Sequence, residues 1–482
     1  MPASDGIKLG IVRGISYGVF GAPGEFMPEL RSLGAGVARV YLTWSQVEPE
    51  PGRYDWTAVD ALLAQIRPDD EIWITVVSAS RWATVAVSDF LPASPAIEMT
   101  AYSLFVASLV AHCAGRVTYW QCNNEPSNRG LWNGDAEAYA VHANAFAAAV
   151  RSADPKATIV LGGCGFDVLS AAADSEPRSF FHTVLERAVD AFDLFAVHLY
   201  DDPARIPGHI EDVRRMMRAH GGEKPVVVGE YGGPTLLGFP ELEPVMQQMM
   251  MEAFGGGGPS MDSAELAAQA ETPDRKAMRA LYHRMASLPP ELQMFMQGCP
   301  PELAAKRDRI ACREIVTRNL LALSTGVART MCWNLAPEVP NYRDPYNMMG
   351  FLSDKLALMD FEGTTLSHVE AAGDTFRLLA GALHDTTKVR RLEAEPGIVA
   401  MEIERASRGP LHVLWAEGDA FDGEDSPARS VSWPWPHATA HIVDALGKDQ
   451  PVGLHTGRLA LSVTVTPMLI AAPSRRAVSL SR

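Results

Sequence analysis

The sequence is short of the features that announce the commoner function classes. Six cysteines in 482 residues (113, 122, 164, 299, 312 and 332) are too few and too scattered for a disulfide scaffold. None forms a C-x-x-C pair and the thirteen histidines include no H-E-x-x-H, so no metal is expected and no cofactor is called for. No run approaches the roughly 18 uninterrupted apolar residues of a membrane span. The stretch Met1-Pro2-Ala3-Ser4-Asp5-Gly6-Ile7-Lys8 lacks a basic region leading into an apolar core, so a cytoplasmic location without a signal peptide is expected. Positive charge is in deficit: 42 Lys and Arg stand against 58 Asp and Glu, a formal net charge of −16. That balance disfavours nucleic acid and anionic membranes as partners. No G-x-G-x-x-G follows the first strand-like run. Gly162-Gly163-Cys164-Gly165 has no lysine to make it a P-loop and reads as a tight turn.

What is present is the composition of an ordinary globular protein, 47% hydrophobic and 21% charged. Strand-like runs alternate with helical patterns up to about residue 375, which argues for βαβ units and a parallel sheet. The candidate strands are Gly14–Phe20, Ala38–Thr43, Glu71–Val77, Arg116–Gln121, Ala157–Leu161, Leu194–His198, Pro225–Gly229 and Thr330–Asn334. Helical patterns fall at Thr57–Ile66, Met99–Cys113, Ala136–Ser152 and Ile210–Ala219. Eight such units favour closure into an α/β fold of the (β/α)8 TIM-barrel kind over residues 1–375. The interval 236–329 is too long for one loop and helix. It holds the methionine-rich Met246–Met251, the glycine run Gly255–Gly258, and helical patterns near Arg275–Ala286 and Ala304–Ser324. It reads as a helical insertion after the seventh strand, overhanging the barrel mouth, with apolar helices that could serve a homo-oligomer interface. From 376 to 482 short runs separated by turns (Val389–Leu392, Ile398–Arg405, Leu411–Trp415, Ala440–Val443, Arg458–Val465) suggest a small antiparallel β-sandwich, with Trp433 and Trp435 more suited to packing than to sugar contact.

Two glutamates close such strands: Glu125, in Tyr119-Trp120-Gln121-Cys122-Asn123-Asn124-Glu125-Pro126, and Glu230, in Pro225-Val226-Val227-Val228-Gly229-Glu230-Tyr231. Functional groups of a β/α barrel sit where strands end. Two carboxyls there can serve as acid/base and nucleophile across one sugar, provided their surroundings keep one protonated and the other ionised. Asn124 is placed to donate to the 2-hydroxyl of that sugar.

These residues resemble the clan A retaining glycoside hydrolases, whose barrels carry Asn-Glu(-Pro) after strand four and a glutamate after strand seven. The resemblance implies Glu125 as acid/base and Glu230 as nucleophile. It also implies that Arg39 lies beneath the nucleophile, that His198 and Tyr200 form the His-x-Tyr pair after strand six, and that Trp333 floors the −1 subsite. Gln46–Trp56 resembles the E-P-x-x-G-x-Y-D-W stretch of the neighbourhood of families 39, 42 and 5, and Trp44, Arg81 and Trp82 are candidate site residues beside it. Each also has a packing reading, as a barrel-end ion pair or a core aromatic. The expected activity is a retaining, exo-acting β-glycosidase on small glycosides or oligosaccharides, with carbohydrate as its partner. An endo-glycanase, a non-catalytic carbohydrate-binding barrel and a metal-dependent hydrolase are the alternatives. The last would need clustered histidines at strand ends, where only His198 qualifies.

Overall fold

Eight parallel strands close into a barrel in chain order. In the computed structural model, which describes residues 6–19, 21–236, 238–246, 273–337 and 342–472, these are β1 (Lys8–Gly14), β2 (Val37–Thr43), β3 (Glu71–Val77), β4 (Tyr119–Cys122), β5 (Thr158–Cys164), β6 (Leu194–Leu199), β7 (Val226–Tyr231) and β8 (Arg329–Cys332). Closure comes from the pairing of β1 with β8. Both faces of each strand are covered, the outer by helices and the inner by the barrel core, so β3 reads as a nearly continuous apolar run and is buried throughout. The inward alternation still delivers polar groups to the lumen, among them Arg39, Thr75 and Gln121, all fully buried.

The first strand departs from expectation. The chain at 15–19 is a turn, and β1 lies ahead of it. Leu9, Ile11 and Val12 supply the apolar run, while Gly14 (φ +107°) and Gly18 (φ +72°) take left-handed conformations that curl the following segment. Gly162 and Gly163 are a second correction: they belong to β5 itself and form no turn after it.

Helices Met99–Cys113, Ala136–Ala153 and Ile206–Ala219 lie on the patterns that foretold them. Asp135 caps the second, accepting from the Ala138 amide at 2.8 Å. Between β7 and β8 the structure holds helices Pro273–His283 and Pro301–Leu323. The longer one packs against β8 and against helix Ile206–Ala219, so it is the barrel's own return helix. The part before it has a small core of its own, built from Leu242, Met278, Leu292, Phe295 and Met296. Of the methionine cluster only Met246 is among the described residues, and Gly255–Gly258 lie outside them. Among the described residues no helix is long and apolar enough to cross a membrane, and all six cysteines are free.

After helix Ala371–Leu383 the chain forms two antiparallel sheets, one of five strands and one of three. The central strands of the five-stranded sheet are buried on both faces. Val399, Met401 and Ile403 join the barrel core, whereas Ile398 and Ala400 face a second core with Trp433 and Trp435, which are thus packing residues. Strands Arg429–Pro434, Gly453–His455 and Met468–Ala471 went unforeseen. They are short, and in the first only Val431 and Trp433 are buried.

Candidate active site

Glu230 sits near the end of β7 with both carboxylate oxygens engaged. Oε1 accepts from Arg39 Nη1 at 2.9 Å and from the Tyr41 hydroxyl at 2.6 Å. Oε2 accepts from the Tyr200 hydroxyl at 2.8 Å and lies 3.4 Å from His198 Nδ1. Burial pushes this carboxyl up, but the adjacent His198 ring, the Arg39 guanidinium and the two tyrosine hydroxyls outweigh it, and the net direction is below the ordinary carboxylate range. Glu230 is therefore ionised at neutral pH.

Arg39 distributes its donors widely: Nε to Thr75 Oγ1 (3.0 Å), Nη1 also to the Gly229 carbonyl (2.7 Å), and Nη2 to Asn124 Oδ1 (2.8 Å). The faces of Tyr41 and Trp73 flank its guanidinium at 4.9 and 5.0 Å. Asn124 Oδ1 also accepts from Gln121 Nε2 at 3.3 Å, which fixes the amide so that its Nδ2 is the end it can offer a ligand.

Glu125 and Asn123 both have positive φ, 40° and 55°. Such a conformation costs a non-glycine residue on the order of 1–3 kcal/mol and persists only where its surroundings impose it. Here Asn123 Oδ1 accepts from the Ser78 amide (2.8 Å) and hydroxyl (3.0 Å), its own amide donates to the Val76 carbonyl (2.9 Å), and Gln121 Nε2 holds its carbonyl (2.7 Å). The kink turns Glu125 toward His198, whose Nδ1 is 2.5 Å from Glu125 Oε1. His198 Nε2 is buried without a partner. A proton assigned to Nδ1 fits this network, because a proton on Nε2 would be a buried donor with no acceptor.

One oxygen each of Glu125 and Glu230 and a ring nitrogen of His198 lie within 4.8 Å of one another. These three could in principle ligate a cation, but the Arg39 guanidinium already neutralises Glu230 and the two tyrosine hydroxyls occupy its oxygens, so the donor set suits a free carboxylate pair better.

Trp333, half-buried at the end of β8, meets Tyr41 edge-on at 6.4 Å, and its carbonyl packs against Gly232 beside Tyr200. Glu125, Glu230, Asn124, Arg39, His198, Tyr200 and Trp333 are thus brought together. Trp44 is not. It is fully buried, stacked on Phe105 at 5.1 Å, with its Nε1 on Glu48 Oε2 at 2.8 Å, and cannot touch a ligand. Trp82 packs edge-on against Trp44 and donates to the Glu48 carbonyl at 2.9 Å, and Arg81 pairs with Asp89. The E-P-x-x-G stretch is a turn held by Glu48, whose Oε1 accepts from the amide of Gly52, a residue at φ +74°.

Several contributors escaped the sequence reading. Tyr41 was legible in principle, being two residues beyond Arg39 on the same face of β2. Three glycines make room for the site: a Cβ on Gly163 would overlap the His198 ring, one on Gly165 would lie 2.8 Å from Glu125 Cδ, and one on Gly162 2.5 Å from the Tyr139 hydroxyl. Asp167, just past β5, shares the space over Gly165 with Glu125 and accepts from Ser127 Oγ at 2.8 Å. Burial and then the charge of Glu125 push its carboxyl up to about 6. A pocket opens beside Tyr41 and Asn124, on the side of the barrel formed by β1 to β4.

A scan against family models gives no match, and a search of curated proteins gives none either. Solved structures do match. A family 39 glycoside hydrolase from the gut symbiont Bacteroides cellulosilyticus WH2 aligns with a TM-score of 0.62 at 13% identity, over 98% of this chain and 82% of its own. The family 51 α-L-arabinofuranosidase AbfB from Bifidobacterium longum gives 0.59 at 12%, over 98% and 96%. A monomeric β-xylosidase from Caulobacter crescentus CB15 gives 0.57 at 13%, over 97% and 96%. The resemblance to glycoside hydrolases therefore extends to the fold of nearly the whole chain.

Proposed function

We propose that the protein is a retaining O-glycoside hydrolase, exo-acting on small β-glycosides. The observation that carries this reading is the carboxylate pair, with oxygens of Glu125 and Glu230 no more than 4.8 Å apart. That separation suits double displacement, which calls for carboxyls about 5–5.5 Å apart, and leaves too little room for the water an inverting enzyme holds between them.

Glu230, ionised by its surroundings, attacks the anomeric carbon while Glu125 protonates the departing glycosidic oxygen. The C–O bond to the aglycone breaks as the ester bond to Glu230 forms. Glu125, now a carboxylate, takes a proton from the water that hydrolyses this ester, releasing the sugar with its configuration retained. Asn124 Nδ2 donates to the 2-hydroxyl, and Tyr41 and Tyr200 hold the nucleophile in its plane. Exo action is favoured by Phe90 and Leu91 from the loop after β3 and Leu131 from the loop after β4, which crowd the site on the side of Tyr41 and Asn124. A cytoplasmic location and an oligomeric form remain part of the reading.

A panel of aryl β-glycosides assayed with wild type, Glu230→Ala and Glu125→Ala tests this. Glu230→Ala should be inactive and regain turnover with azide, releasing a glycosyl azide of inverted configuration. Glu125→Ala should lose far more activity on poor leaving groups than on activated aryl glycosides. Equal losses on both, or near wild-type turnover by Glu230→Gln, would remove these roles. Faster cleavage within long polymers than of aryl monoglycosides would replace exo by endo action.

A further inference from the structure

The helix that returns the chain to β8, Pro301–Leu323, carries a buried ion pair that the chemistry above does not use. Arg318 donates to Glu314 Oε2 through Nε at 2.9 Å and through Nη2 at 2.6 Å, one turn away on the same helix. Both side chains are buried. Withdrawing such a pair from water costs about as much as the pairing returns, so stability alone is a weak reason for it. The rest of the guanidinium points away from Glu314. Nη1 donates to two backbone carbonyls, those of Leu199 at 3.0 Å and Asp201 at 2.6 Å. The residue between those carbonyls is Tyr200.

Tyr200 stands just past the end of β6. The last register pair with β7 is Leu199 with Tyr231, so sheet pairing stops one residue short of it. Yet its hydroxyl must meet Glu230 Oε2 at 2.8 Å, an oxygen whose next neighbour, His198 Nδ1, is 3.4 Å away. That hydroxyl lies at the far end of a rigid ring, where a small turn of the backbone becomes a larger displacement. One planar group holding the carbonyl on either side of Tyr200 opposes that turn. The chain after β7 closes on the same assembly: a Cβ on Gly233 would fall onto Glu314 Oε2, and one on Gly232 would lie 3.3 Å from Tyr200 Cε1.

Resting on the glycosidase reading, we propose that Arg318 is a positioning residue, whose grip on the Leu199 and Asp201 carbonyls aims the Tyr200 hydroxyl at Glu230. Glu314 fixes the plane in which one nitrogen of the guanidinium meets both carbonyls. A lysine would keep a charge beside Glu314 but gathers its donors at one flexible point and cannot reproduce that fork. The groups facing Glu230 are Arg39 and Tyr41 from β2, His198 and Tyr200 from the end of β6, and Glu125 from the loop after β4. Of these, Tyr200 is the one whose flanking carbonyls Arg318 holds.

The test compares Arg318→Lys, Tyr200→Phe and the double variant on an aryl β-glycoside across pH. Each single variant should lower kcat roughly tenfold, the scale of one hydrogen bond to a charged group, with KM little changed. Each should also move the acid limb of kcat/KM to higher pH, because Glu230 loses a donor that favours its ionised form. The double variant should be no worse than Tyr200→Phe, since the arginine then has no hydroxyl left to aim. Glu314→Gln should give the same signature in weaker form, and it carries the test if Arg318→Lys does not fold. Carbon-13 titration of the Glu230 carboxyl makes the comparison without turnover: its midpoint should rise in Arg318→Lys as it does in Tyr200→Phe. Losses that multiply in the double variant overturn the proposal and leave the glycosidase assignment standing. So does a folded Arg318→Lys with unchanged kcat and acid limb, whatever its melting temperature. A shifted midpoint in a protein whose wild type hydrolyses no glycoside supports the grip and removes the enzyme reading.

Discussion

The barrel buries a glutamate against an arginine at each of its two ends, and the two clusters are built differently. At the strand-start end, Glu71 accepts two bonds from one guanidinium, Arg329 Nε at 2.7 Å and Nη2 at 2.8 Å, with Tyr119 (2.8 Å) and Lys8 (2.8 Å) completing both oxygens. At the strand-end side, Arg39 gives Glu230 one bond and spends its remaining donors on Thr75, Gly229 and Asn124. A bidentate fork gains the most from pairing and leaves the carboxylate nothing further to do. Single bonds from an arginine and two hydroxyls keep a carboxylate ionised and aimed without the two-point fork that fixes Glu71. The chemistry is shared, and the arrangement separates a staple from the proposed nucleophile, as expected of the two faces of such a barrel.

Exchanging glutamate for glutamine at each end should pull these roles apart. Glu230→Gln is expected to lose at least about 10⁴-fold in kcat/KM on aryl glycosides, the scale seen when a nucleophile is removed, together with some stability, because the buried Arg39 then keeps only neutral acceptors. Glu71→Gln should lose stability alone. It leaves a buried guanidinium without its counter-charge, at a cost of about 3–5 kcal/mol, with kcat/KM of the folded protein within a few-fold of wild type. Arg329, Lys8 and Tyr119 hold the Glu71 carboxyl below its ordinary range against the opposing effect of burial. Its contribution is therefore complete above the unfolded-state value near 4.3 and fades as pH falls through the folded value. The stability gap between Glu71→Gln and wild type should accordingly close on acidification, as denaturant melts at a series of pH values will report. Loss of activity without loss of stability in Glu71→Gln would erase the contrast.

The strand-end cluster depends on glycine where the strand-start cluster does not. Gly163→Ala should drive the His198 ring off its line to Glu125. A displacement of this kind, near 1 Å, costs about 100-fold in rate, so kcat should fall with KM little changed. Unaltered kcat would show that the ring position is immaterial to the chemistry.

These contrasts bear on what a bare sequence can reveal. Strands β2 to β8 were legible because a strand covered on both faces is written as an apolar run, and Glu125 and Glu230 because they close two such runs. The inward positions Arg39, His198 and Tyr200 followed from strand ends combined with the family resemblance. Trp44 misled for a physical reason: a tryptophan at the end of a strand can face the lumen or the surrounding helices, and here Phe105 and Tyr102 of helix Met99–Cys113 claim it. The glycines of β5 misled in another way. Glycine commonly marks a turn, yet Gly162 and Gly163 within β5, and Gly165 just past it, mark the positions where Tyr139, His198 and Glu125 need the space of a missing Cβ. Such three-body crowding has no local signature, and neither does the approach of Asp167 to Glu125 across two loops.

Asp167 supplies the smallest test. Its carboxyl is raised to about 6 by burial and by Glu125, the opposite of what befalls Glu71. A folded-state value above the unfolded one, near 3.9 for aspartate, means that the protonated form stabilises the fold. That stability is whole below the unfolded value and is lost as pH rises through about 6. Asp167→Asn carries no such charge and keeps the Ser127 hydroxyl bonded through its amide oxygen. It should therefore melt at a higher temperature than wild type at pH values above the Asp167 titration, by the equivalent of about 1–2 kcal/mol after allowance for partial solvation. Below the unfolded aspartate value, where wild type is itself neutral at this position, the two should converge. Parallel melting curves across the whole pH range would mean that Asp167 is not crowded by Glu125 at all, and the strand-end side of the barrel would then owe its strain to the backbone at Asn123 and Glu125 alone.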